Sequence, residues 1–177
     1  MNIMVKDQVG KILRSGWYGI YKIGHLRKYL DQKMSEKLVH AFITSHLDYC
    51  NGLLAGLPDT EISRLQRLQN ASARVVTRAK RIEHISPVLC DLHWLPVHLR
   101  VNFKILLTMY KCSIGQAPIY LRELITPYAP TRSLRSASLN LVVQPKVNSK
   151  SYGAQFFSCW THSMECSPKL DKNFTIR

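Results

Sequence analysis

The chain has 177 residues, room for one compact domain that buries about 70% of its unfolded-chain surface and a tight fit for two. Its 46% hydrophobic and 20% charged residues exclude the composition of a disordered chain. Against 11 acidic residues stand 25 lysines and arginines, and the resulting +14 suits a polyanionic partner, nucleic acid first and an anionic membrane second.

In chain order, the first predicted helix covers residues 3–30. Val9, Ile12, Leu13, Ile20 and Tyr21 recur there at helical spacing, although Gly10, Gly16, Gly19 and Gly24 lower its propensity by up to ~1 kcal/mol each. A second helix follows over 35–54, with Ser35 as N-cap and Gly56 and Pro58 as the stop. On a helical wheel Leu38, Val39, Phe42, Ile43, Leu47, Tyr49, Cys50, Leu53 and Leu54 fill one half, and Lys37, His40, Thr44, Asp48 and Asn51 the other. The third, over 60–80, sets Arg64, Arg67, Arg74, Arg78 and Arg81 on one side, opposite Ile62, Leu65, Leu68, Ser72, Val76 and Ala79. No acidic residue occurs between Ile62 and Ile82, so these arginines lack i,i+4 partners and form a net positive stripe.

Ser86-Pro87 reads as the N-cap and first residue of a short helix, and Pro96 opens a longer one to about Ser113, before Gly115. Leu99, Phe103, Leu106, Leu107 and Tyr110 line one side of this helix and Val101, Ile105 and Met109 its back, a pattern that places it centrally in the core. Pro118 starts a last short helix through Leu124. Beyond Pro127 turn and basic residues take over, and Leu139-Asn140-Leu141-Val142-Val143 reads as a strand or extended arm. The expected fold is mainly α: a cluster of four or five helices with an irregular, partly extended basic C-terminal arm.

Two-metal chemistry requires converging carboxylates, yet no two acidic residues are adjacent. The closest, Asp59 and Glu61, suit the charge complementarity of a helix N-terminus. No Walker loop, Gly-x-Gly-x-x-Gly, His-Glu-x-x-His or Gly-x-Ser-x-Gly pattern occurs. Cys90, His93 and His98 lack a fourth zinc ligand, and Pro96 keeps the two histidines off a single helix. His93-Trp94-Leu95-Pro96 reads instead as a packed turn with Trp94 anchored in the core. Cys50, Cys90, Cys112, Cys159 and Cys166 are an odd, irregularly spaced set without a secretory segment before them, which fits a reducing compartment, nucleus or cytoplasm, and not secretion. Lys or Arg interrupts every longer apolar window, so no membrane span is expected. The sequence thus predicts a chain with no catalytic or metal-binding residues, no cofactor and no small-molecule substrate. For the arginine stripe a solvated helix face and a phosphate contact are both open. With Lys146 and Lys150 also downstream, the candidate nucleic-acid-binding residues are Arg64, Arg67, Arg74, Arg78, Arg81, Arg132 and Arg135, whose planar forks give a phosphate two parallel hydrogen bonds.

A longer string is more specific. Leu38-Val39-His40-Ala41-Phe42-Ile43, Ser45, Leu47-Asp48-Tyr49-Cys50-Asn51, Leu53-Leu54 and Gly56-Leu57-Pro58 lead into Leu65-Gln66, Gln69-Asn70 and Ala73-Arg74. His84-Ile85, Pro87, Leu89, Leu92-His93-Trp94-Leu95-Pro96-Val97, Arg100 and Phe103-Lys104 come next, then Gly115, Ala117-Pro118, Tyr120-Leu121, Arg132, Leu134-Arg135-Ser136 and Tyr152-Gly153. With Trp17-Tyr18, Ile23, Arg27 and Leu30 upstream, the string resembles the region after the polymerase palm in reverse transcriptases of non-LTR retrotransposons, the LINE elements of jockey and CR1/L2 type.

The resemblance covers residues 15–158. It implies a thumb-like helical region, 1–127, and a basic arm, 128–158, from a multidomain endonuclease and RNA-directed DNA polymerase. In that family the thumb grips the template-primer duplex, and the Tyr/Phe-x-Asp-Asp loop lies upstream of the matching region. Of the stripe, only Arg74 belongs to the family pattern. The implied role is weak, non-specific binding of an RNA or DNA template-primer. A stand-alone helical interaction module that reused the fold, and a relic without function, remain open beside it.

The likeness stops after Ser158. Read from the second base, codons for residues 159–168 permit Val-Gly-Pro-Thr-Leu-Trp-Asn-Ala-Leu-Pro, close to the family's Pro-x-Leu-Trp-Asn-x-Leu-Pro; its tryptophan is forced by Met164-Glu165. Residues 159–177 are therefore expected to be an out-of-frame tail.

Overall fold

The computed structural model describes residues 2–49, 51–123, 125–126, 132 and 143, with the side chains of 2–6 left out. Among these the chain is mainly helical and contains no strand. It divides into two compact units, Met1–Val101 and Asn102–Arg177. The first holds α1 (Asn2–Leu26), α2 (Gln32–Val39), α3 (Ser45–Asp48), α4 (Asp59–Thr77) and α5 (Ile85–Asp91); α6 (Val97–Ser113) begins in it. The second holds the rest of α6 and α7 (Ile119–Arg122), with Pro118 at the N-cap position.

The first unit is built on the packing of α1 against α4. Val9, Ile12, Leu13 and Ile23 form the buried face of α1, and Leu65, Leu68, Ser72, Ala73 and Val76 that of α4. Each fully buried leucine stabilises by about 1.5–3 kcal/mol relative to exposure. Of the apolar side expected for α4, Leu65, Leu68, Ser72 and Val76 are thus buried, while Ile62 is half-buried and Ala79 lies past the helix end. Asp59 and Glu61 stand in its first turn, where the helix dipole favours negative charge. The far end of α4 is closed from another element. Arg27, just past α1, donates from Nε to the Val75 carbonyl and from a terminal nitrogen to that of Val76, both at 2.8 Å, and from the other to Leu30 at 2.6 Å. A cation thereby satisfies carbonyls that the helix leaves without N–H partners. Burial, then the neighbouring Arg78, push the Arg27 pKa below arginine's ordinary value, with Asp31 opposing.

Several expectations are corrected. The first helix stops at Leu26, and Tyr21 is 62% exposed, so its ring belongs to the solvent face. Ser35 is not an N-cap: the helix starts three residues earlier after Asp31, and the buried Ser35 hydroxyl donates back to the Asp31 carbonyl at 2.9 Å. The continuous helix over 35–54 is broken by a π turn, His40–Thr44, and then by extended Tyr49 before the 3₁₀ turn Asn51–Leu54. The wide turn advances the chain by a residue relative to a regular wheel. Val39, Ile43, Leu47 and Leu54 stay buried, whereas Phe42, Tyr49 and Leu53 face solvent.

α4 ends at Thr77, with Arg78 in the left-handed region at φ 60°, short of the expected Lys80. α5 starts at Ile85 after His84, which moves Pro87 from the first to the third helical position; the first-turn N–H groups lack helical acceptors, so proline costs no bond at either place. α6 starts beside Pro96 as expected. Its core side is Val97, Val101 and Ile105, while Leu99, Phe103 and Tyr110 are exposed, so it is not central to the core. Trp94 is buried as expected. The Val143 N–H donates to the Thr126 carbonyl at 2.9 Å. Apart from Arg132 and Val143, the arm over 128–158, and the tail over 159–177, lie outside the described residues.

Candidate nucleic-acid interface

The arginines of the predicted stripe separate into two groups. Arg64 and Arg67, on the exposed side of α4, line a groove with Gly10, Leu13, Arg14 and Trp17 of α1. The groove has a volume of about 320 Å³. Arg64 carries an unforeseen partner: Glu61, three residues earlier, accepts from it at 2.9 Å and 3.2 Å. A search restricted to i,i+4 acids passes over this i,i+3 pair. Among the described residues Arg67 reaches only the Ser63 carbonyl, at 3.4 Å through Nε. Arg14 makes no ion pair among the described residues, where the ion pairs are His40 with Glu36, Arg64 with Glu61 and Arg100 with Asp48.

Arg74 and Arg78 hold the fold's own backbone. Arg74 is half-buried and donates to the Glu83 carbonyl at 3.3 Å; Arg78 donates to the Arg27 carbonyl at 3.0 Å. Because the helix stops at Thr77, Arg78 and Arg81 no longer continue the stripe. Arg81 and Arg132 are exposed, and Arg135 lies outside the described residues.

Other residues in the likeness string touch one another across long stretches of chain. The Gln66 amide donates to Gln69 Oε1 at 3.0 Å and Asn70 Oδ1 at 2.8 Å, and its oxygen accepts the Val97 N–H at 2.9 Å. Buried Gln69 donates to the Leu95 carbonyl at 2.9 Å, and Arg100 pairs with Asp48 at 3.0 Å. These contacts seat the Trp94-Leu95-Pro96-Val97 turn on α4, a structural task. No protein-family model, curated protein or solved structure matches the chain.

Sequence periodicity missed Arg14 and Trp17. The available signal was the interleaving of basic and aromatic residues on α1: between Gln8 and Leu30 there is no acidic residue, and Lys11, Arg14, Trp17, Tyr18, Tyr21 and Lys22 are all exposed. Lys22 Nζ lies 5.3 Å from the Tyr18 ring centre, and the Tyr21 and His25 rings meet edge to face at 4.4 Å. Among the described residues no three His, Cys, Asp or Glu side chains gather to hold a metal, and no helix is long and apolar enough to cross a membrane.

Proposed function

We propose that this chain is the helical nucleic-acid-holding part of a reverse transcriptase of the non-LTR retrotransposon type, with no chemistry of its own. Its task is weak, sequence-independent retention of an RNA or DNA template-primer inside the cell. The observation that carries the binding role is the gathering of Arg14, Arg64 and Arg67 around one groove of a +14 chain, where among the described residues a single acid, Glu61, pairs with one of them. Such a surface contacts phosphates and reads no bases. The assignment to a polymerase rests on the ordered likeness over 15–158.

The experiment is duplex binding as a function of salt. Replacing Arg14, Arg64 and Arg67 together by Gln flattens the dependence of log affinity on log salt, by up to ~0.9 per lost phosphate contact. An unchanged slope would assign the residual binding to the basic arm. In a second reading the chain is a stand-alone helical protein-interaction module; the exposure of Phe103 and Tyr110 on α6 favours it.

A further inference from the structure

We infer that the groove between α1 and α4 is a single-strand site. It takes one unpaired nucleotide of an RNA or DNA strand, its base stacked on the Trp17 indole and its flanking phosphates on Arg14 and Arg67. This rests on the nucleic-acid reading above and narrows it.

Three observations combine. The first is an aromatic ring at a cationic recess: Trp17 is 46% exposed, yet it lines the groove between arginines. A duplex presents phosphates outward and keeps its base faces stacked, so it has no use for an indole there. An unpaired base has a free π-face, and stacking on an aromatic side chain is the general device of single-strand binding. The second is size. A volume of about 320 Å³ is at the small end of ligand sites, ~300–1,000 Å³, and suits one nucleotide inside the groove, with a duplex reaching only the arginines at its rim. The third is Gly10 on the groove's lining. A Cβ built on it meets nothing within 4 Å, although glycine inside a helix costs ~1 kcal/mol relative to alanine. The open space lies where a longer side chain would fill the recess. Charge selects the ligand: Arg14 and Arg67 have their terminal nitrogens free among the described residues, and exposed Lys11, one turn before Arg14 on α1, adds to the positive charge there.

The test compares a short oligo(dT) with a hairpin duplex on the full chain. Trp17→Ala weakens oligo(dT) binding by about fivefold or more and leaves duplex binding within about twofold, while Trp17→Phe restores most of the loss. Gly10→Gln, which adds no charge and favours the helix, fills the recess and gives the same selective loss with undiminished thermal stability. Equal losses on both ligands, or no loss on oligo(dT), would overturn the inference. If the chain binds duplex and not oligo(dT), the single-strand site falls and the proposed function stands. If it binds neither, both fall.

Discussion

Gly16 of α1 lies directly over Leu68 of α4: a Cβ built on the glycine would stand 2.5 Å from Leu68 Cδ2 and 3.0 Å from Cδ1. Leu68 is fully buried and has no solvent side to turn into. The absence of a side chain at Gly16 therefore sets how closely the two helices approach, and with it the width of the groove that Trp17 and Arg67 share. Gly16→Ala gains ~1 kcal/mol of helix propensity but overpacks this crossing, a fault that costs ~1–3 kcal/mol. The expected net outcome is a lower thermal midpoint, partly restored by Leu68→Val in the same chain. Gly24→Ala, where nothing lies within 4 Å, has the opposite sign and raises the midpoint.

Arg27 supplies the second prediction. Its guanidinium spans two carbonyls at the end of α4 and one at Leu30, an arrangement that a planar fork can make and a point charge cannot. Arg27→Ala is expected to cost about 2 kcal/mol, since hydrogen bonds to charged groups contribute ~1.5–3 kcal/mol and this one is half-exposed. Arg27→Lys recovers less than half of that. Urea unfolding decides it: the midpoint falls and the m-value stays constant. A midpoint unchanged in Arg27→Ala would mean that water closes the helix end equally well.

How much of this was legible in the sequence depends on whether helical geometry stays regular. α4 is an unbroken helix through Thr77, so a wheel read Leu65, Leu68, Ser72 and Val76 correctly as its core side. The same wheel fails for Phe42, which lies within the π turn, and for Leu53, which follows both that turn and the extended Tyr49. Tyr21 counts as apolar by its ring, yet on α1 it sits away from the face of Val9, Ile12, Leu13 and Ile23 and is exposed. The site was half legible. Charge spacing found Arg64 and Arg67, but nothing local announces that α1 brings Arg14 and Trp17 beside them, or that Arg74 and Arg78 turn to backbone carbonyls far along the chain.

That division of the arginines is itself testable. Arg14→Gln with Arg67→Gln removes two exposed cations that hold no part of the fold, so the thermal midpoint stays put and the duplex salt slope falls by up to about 2. Arg74→Gln with Arg78→Gln removes donors to the Glu83 and Arg27 carbonyls, so the midpoint falls while the slope changes little. Measuring both quantities on both pairs separates binding from architecture. A reversed result, with the slope lost only in the second pair, would move the interface to the end of α4.

The last prediction concerns a residue where local chemistry and local geometry disagree. α5 and α6 end in the same way. At the end of α5 the His93 N–H donates to the Cys90 carbonyl at 2.9 Å and the Trp94 N–H to that of Leu89 at 2.8 Å. At the end of α6 the Gly115 N–H donates to Cys112 at 3.2 Å and the Gln116 N–H to Lys111 at 2.9 Å. Both are Schellman closures, whose turning residue must take the left-handed conformation. Gly115 does so at φ 78° without a penalty, whereas His93 adopts φ 54° with a Cβ present, a conformation that costs an L-residue ~1–2 kcal/mol. His93 is exposed and makes no side-chain hydrogen bond among the described residues, so nothing is lost when its ring is removed. Glycine raises the entropy of the unfolded chain, which offsets part of the relief. His93→Gly is accordingly expected to stabilise the chain by ~0.5–1 kcal/mol, a rise of about 1–4 °C in the thermal midpoint for a protein of this size. His93→Ala, which keeps the Cβ and removes only the ring, leaves the midpoint near its starting value. If alanine stabilises as much as glycine, the imidazole and not the backbone is the source of the strain; if glycine destabilises, the ring has a packing role on the Trp94 turn.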